Sequence, residues 1–190
     1  MEEVIARLDA WMKENHPGYE EWEPGASGDE IAELEKALAT TLPAGLRLLL
    51  EWRSTVPLIF NQETMDCSTI AAHFEDMGAM ADVDEWDDPN HWHKGWFAFS
   101  TDGGDCLVID PLGSFGGSPG QVLDFDHEGG DEKTIVAPDF DSWLTAFVHA
   151  LDAGVFVYNE EDEDVSEADG RSFDAVIAQR CPGYPKTVSP

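Results

Sequence analysis

Residues 100–126, STDGGDCLVIDPLGSFGGSPGQVLDFD, hold six glycines and five aspartates in 27 positions. Such a stretch could bind a cation, cradle a phosphate, or form tight turns on a sheet. A helix–loop–helix calcium site needs oxygen ligands at alternate positions, a central glycine and a glutamate in twelfth place. Asp102, Asp105 and Asp110 lack that spacing. On a strand rising about 3.3 Å per residue, Asp105 and Asp110 would stand about 15 Å apart. A phosphate cradle needs backbone N–H groups at a helix start, commonly followed by Lys and Ser or Thr. GSFGGSPG has neither, and its Pro119 removes a donor. Turns fit better. Asp102-Gly103-Gly104 supplies the positive-φ positions of a hairpin, and 113–120 a longer loop between two strands. On this reading the aspartates sit at strand ends and in solvent.

Other reactive types are equally unpatterned. Ser114 in LGSFG and Ser118 in GGSPG do not match the G-x-S-x-G elbow of a hydrolase. Cys67, Cys106 and Cys181 form no C-x-x-C pair, which argues against a zinc knuckle, a redox motif or a disulfide scaffold. His91 and His93 would share a face of a strand and could join Asp87 or Asp88 at a metal, but spacing fixes no third ligand. No catalytic residue, cofactor or metal is expected. The segment DEWDDPNHWHKGW instead interleaves Trp86, Trp92 and Trp96 with Asp84, Glu85, Asp87 and Asp88. Aromatic anchors within a charged rim have the character of a protein interface. Trp96 reads as core, while Trp86 and Trp92 fit either role. The candidate partner-binding residues are therefore Trp86, Asp87, Asp88, Trp92 and the hairpin-tip Asp102.

The elements that must hold these residues follow from periodicity. Val4, Ile5, Leu8, Trp11 and Met12 predict a helix over 3–15, ended by His16-Pro17-Gly18. Ser27 and Glu30 form a capping box before Ile31, Leu34 and Leu38. Pro43 opens a third helix running to about Arg53. Pro57–Phe60 suits a short strand, and Ser68 suits the cap of a helix carrying Ile70, Phe74 and Met77. From Trp96, the runs WFAFS, CLVID, QVLDFD and KTIVA predict a strand meander with one face half in solvent. Pro138 opens a strongly amphipathic helix with Phe140, Trp143, Leu144, Phe147 and Leu151, closed by Gly154. The following NEEDEDVSEADG, with seven carboxylates, predicts a mobile acidic linker; 171–180 suits a short helix and PGYPKTVSP a loose end. Helices, then an antiparallel sheet, then a closing helix describe an α+β fold, with residues 1–158 as the domain and 159–190 as a tail.

Several stretches, in order, resemble the SUKH superfamily, the Smi/Knr-type proteins. PGASGDEIAELEKALATTLPAGLRLLLEW is similar to its opening helices, and KGWFAFSTDGGDCLVID to its Trp-containing strand, D-G-G turn and aspartate-ended strand. GSPGQVLDFDHE and VAPDFDSWLTAFVHALDAG resemble its next strand and closing helix. Where the family has a Gly- or Asn-containing turn after the third helix, this chain has RSTVPLIFNQ, so the rim beside that turn is expected to differ. The resemblance implies an α+β fold without an established catalytic centre. It also implies function through protein contacts: bacterial members as immunity proteins against toxins, often nucleases, and fungal members as cell-wall regulators.

Charge narrows the partner. Ten Lys and Arg against 40 Asp and Glu give a net charge of −30. Such a surface repels nucleic acid and anionic membranes and attracts basic proteins. The N-terminal MEEVIARLDAWMKENHPG has neither the basic start nor the apolar run of a signal peptide, and no run approaches a membrane span, so a cytoplasmic setting is expected. The expected function is a non-enzymatic immunity protein whose carboxylates mimic phosphates on a basic toxin. The alternative is a cytosolic regulator of the cell-wall-assembly type that binds another protein.

Overall fold

The structure is a computed structural model that describes residues 1–57, 62–82, 91–129, 132–161 and 163–189. Among them are α1 Glu2–Asn15, α2 Gly28–Leu38, α3 Ala44–Trp52, α4 Cys67–Asp82, α5 Phe140–Asp152 and α6 Phe173–Arg180. The strands are β1 Glu63–Thr64, β2 Phe97–Asp102, β3 Asp105–Asp110, β4 Gln121–Phe125, β5 Lys133–Ala137, β6 Phe156–Asn159, β7 Asp164–Glu167 and β8 Lys186–Val188. An antiparallel sheet runs β1-β2-β3-β4-β5-β8, and β6-β7 form a separate hairpin. This is the α+β fold and the meander the sequence predicts.

Local chemistry sets the element ends. Ser27 and Glu30 cap α2 reciprocally. Asp66, not Ser68, starts α4: its carboxylate accepts from Thr69 N at 2.7 Å and from the Ser68 hydroxyl at 2.8 Å. Asp139 likewise caps α5 by accepting from Ser142 N, which leaves Pro138 just outside the helix. Gly103 and Gly104, at φ 59° and 120°, close the β2–β3 hairpin as expected. The predicted strand over Pro57–Phe60 falls mainly outside the described residues; Pro57 itself bridges Glu63.

The sheet is covered on both faces where one was expected to be half solvated. Every residue of β3 from Cys106 to Asp110 is buried. On one face, Phe99 meets Phe140 and Trp143 of α5 at ring centroid distances of 4.9 and 5.2 Å. On the other, Trp92 packs edge-on against Phe125 at 5.1 Å and Trp96 at 5.7 Å, while His73 of α4 reaches Cys106. The aromatic-rich segment before β2 supplies a lid that period-two alternation alone does not reveal.

Two expectations for the second half of the chain are corrected. Asp110 is fully buried and does not lie in solvent. Its carboxylate accepts from the backbone N–H groups of Leu112, Gly113 and Ser114 and from Gln121 Nε2, so it templates the whole β3–β4 loop. The stretch 159–190 is not a loose acidic tail. The β6–β7 hairpin buries Val165, α6 lies on α5 through Phe173 and Ile177, and β8 pairs with β5. Exposed carboxylates, Glu160, Glu161 and Glu163, crowd the turn of a short hairpin, and composition read alone mistakes that for disorder.

His73 gives the fold a pH dependence. Its Nδ1 is buried without a hydrogen-bond partner, and burial holds its pKa below the usual histidine value. The folded state therefore favours the neutral ring. Stability is full above about pH 6.5, the unfolded value, and declines as pH falls below it. Urea titrations at pH 7.5 and 5.5 are expected to show a lower midpoint at pH 5.5. That loss should shrink in His73→Gln; an identical loss in both proteins would remove His73 as its source.

Candidate functional site

The hairpin end of the sheet gathers acids from three adjoining strands. Asp102 and Asp105 flank the β2–β3 turn and pair across it. Asp124 lies opposite Leu107, and Asp126 follows β4. His127 stands among them: its backbone N–H reaches Asp105 Oδ1 at 3.0 Å and its Nδ1 the same oxygen at 2.8 Å. The imidazole rests on Gly104, where an added Cβ would approach its ring to 3.0 Å. Glycine at 104 thus serves both the turn and the seat of this ring.

Electrostatics at this end are strained toward cation binding. The hydrogen bond to Asp105 raises the His127 pKa, and the same contact lowers that of Asp105. Asp124 is exposed at its tip, and desolvation by the surrounding chain, then the charges of Asp105, Asp126 and Asp174, push its pKa up. Crowded carboxylates of one sign are relieved by any positive group that approaches. Asp105, Asp126 and His127 each offer one metal-ligand atom, all within 4.8 Å of one another. The ion pair between His127 and Asp105 already accounts for that closeness.

Two of the five sequence-predicted residues, Trp92 and Asp102, lie among the described residues. Asp102 is exposed at the hairpin tip. Trp92 is 3% exposed and belongs to the core, so its ring supports the surface from beneath instead of presenting an anchor. Trp86, Asp87 and Asp88 lie outside the described residues. His91 and His93 do not converge: His91 packs on Phe125 at 5.0 Å, whereas His93 stacks on Trp96 at 4.8 Å and meets Ser114 Oγ at 3.1 Å. Asp110 cannot complete a triad with that Ser–His pair, because its hydrogen bonds go to the loop backbone and Gln121.

A cleft of about 460 Å³ between α2 and α4 is lined by Glu30, Glu33, Asp66 and Cys67 among others. Glu30 and Asp66 are engaged as helix caps. Burial pushes the Cys67 and Cys106 thiols up to about 11, so neither is a thiolate near neutral pH.

The sequence profile of the SMI1 / KNR4 family (SUKH-1) matches residues 25–146. The chain belongs to that family. No curated protein matches it. The SUKH-1 match runs from the connection before α2 into α5 and contains β1 to β5 together with the acidic hairpin end. Helix α1, the β6–β7 hairpin, α6 and β8 lie outside it. SUKH-1 membership agrees with a role in protein–protein contact. Among the described residues no helix is long and apolar enough to cross a membrane.

Sequence reading missed Asp105, Asp124, Asp126 and His127 as one group. The signal was present: β3 begins on Asp105, and the end of β4 carries Asp124 with Asp126 just beyond it, so an antiparallel register sets those ends side by side.

Proposed function

We propose that this SUKH-1 protein is a non-enzymatic immunity protein that captures a basic toxin domain through its acidic hairpin end. The observation that carries the reading is the crowding of Asp105, Asp124 and Asp126 beside the exposed Asp102, in a chain of net charge −30. Clustered exposed carboxylates can stand in for phosphates on a surface built to bind them. A charge of this size also accelerates encounter with a cationic partner.

The test is the association rate with a basic toxin domain encoded beside the gene. Between 50 and 500 mM salt that rate is expected to fall more than about tenfold. A variant with Asp102→Asn, Asp124→Asn and Asp126→Asn should associate several-fold more slowly at low salt with a melting temperature no lower than wild type. A rate insensitive both to salt and to these changes would sink the proposal.

A further inference from the structure

A second acidic surface lies where α1 ends against β6. Two adjoining hollows, of about 610 and 310 Å³, share Glu14, Asn15, Tyr158 and Glu160 in their walls. Trp11 lines the first and His16 the second. His16 stands edge-on to Tyr158 at 5.0 Å and to Trp22 at 4.9 Å. Its Nδ1 accepts from Gly18 N at 3.1 Å, and burial lowers its pKa, so the ring is held neutral. Asp152 in the first hollow is already paired with Arg7. Glu14, Glu20 and Glu160 have no salt bridge among the described residues.

Lys13 is the one Lys or Arg in the walls of the two hollows, and it stands in the second, away from Trp11. Aromatic faces edged mainly by unpaired carboxylates favour one chemistry. An anion is repelled, and an apolar group would desolvate the carboxylates without compensation. A guanidinium stacks on the rings and ion-pairs with the acids at once. The same surface already shows the mode: Arg53 lies over Tyr19 at 5.0 Å and Trp52 at 5.8 Å. Among the described residues no cation lies over Trp11 or Tyr158. We infer that the cleft between Trp11 and Tyr158 is a docking site for an arginine side chain of a basic protein partner. It lies wholly outside the family-matched segment.

The probe is an acetylated, amidated Gly-Arg-Gly-Arg-Gly peptide, with citrulline in place of arginine as the uncharged control. It is titrated into the full chain at 0.5 M salt, where diffuse attraction to the acidic surface is screened. The expected result is saturating NMR shifts at the Trp11 indole, the Asn15 side-chain amide and Gly154. Trp11→Ala should weaken binding about fivefold to tenfold. Glu14→Gln with Glu160→Gln, both exposed and unable to disturb packing, should weaken it at least about twofold. Citrulline peptide should bind far more weakly. Shifts confined to Gly103, Gly104 and His127, equal binding by these variants and wild type, or equal binding of the citrulline peptide would each overturn the inference. The hairpin-end proposal is read out on other residues, so either can fail without the other.

Discussion

Replacing Asp110 with alanine is expected to destabilise the protein by about 4 kcal/mol. The carboxylate is fully buried and receives three backbone N–H groups and one side-chain amide. Each buried donor left without an acceptor costs about 1–3 kcal/mol, and water can reach only part of this loop to relieve it. With a urea dependence of about 2 kcal/mol per M, the unfolding midpoint should fall by about 2 M. Asp110→Asn keeps one acceptor oxygen but turns an NH2 group toward the donors, so it should lose roughly half as much. The loop offers no easy escape. Gly117 is pressed against Gln121, with an added Cβ falling 1.7 Å from Oε1, so the segment has little room to slide toward new acceptors. A midpoint within about 0.2 M of wild type would show that the carboxylate does not organise the loop.

Removing residues 159–190 is expected to abolish cooperative folding, where composition alone predicts a harmless trimming. Val165, Phe173, Val176, Ile177 and Cys181 are all buried. At about 2 kcal/mol gross for each apolar side chain, their burial amounts to about 10 kcal/mol, comparable with the whole stability of a domain. Phe173 packs on Phe156 at 5.3 Å and on Phe147 at 6.3 Å, so truncation also exposes the aromatic face of α5. The truncated chain should elute as aggregate, or melt roughly 15 °C or more below the full protein. Phe173→Ala tests the same contact more gently and should cost about 3 kcal/mol. A truncated chain that stays monomeric and melts with the wild type would restore the picture of a loose arm.

These two cases mark where sequence reasoning reached and where it stopped. The capping box at Ser27, the amphipathic α5 and the Gly103-Gly104 turn are legible because each depends on residues a few positions apart. Asp110 was misjudged because strand ends are usually wet, and nothing local says that a loop will fold back over this one. Trp92 could not be assigned because core and interface ask for the same side chain; only the rings it meets decide. The second strand of the acidic hairpin hides its inward Val165 among polar and acidic neighbours. The hairpin-end group is a product of register between β3 and β4, information that no single strand carries.

The place of β8 sets a hazard during synthesis. Its partner β5 spans Lys133–Ala137, yet Lys186–Val188 is made about fifty residues later. Until those residues leave the ribosome, β5 is a naked sheet edge beside an otherwise formed meander. Nascent chains that meet one another in that interval can pair edge to edge. Lys133, at the head of β5, sets a charge on that edge during the exposed interval and burial conceals it afterwards. Expression that slows between the codons for β5 and those for β8 would lengthen the interval and lower the yield of folded protein, with no change in the sequence.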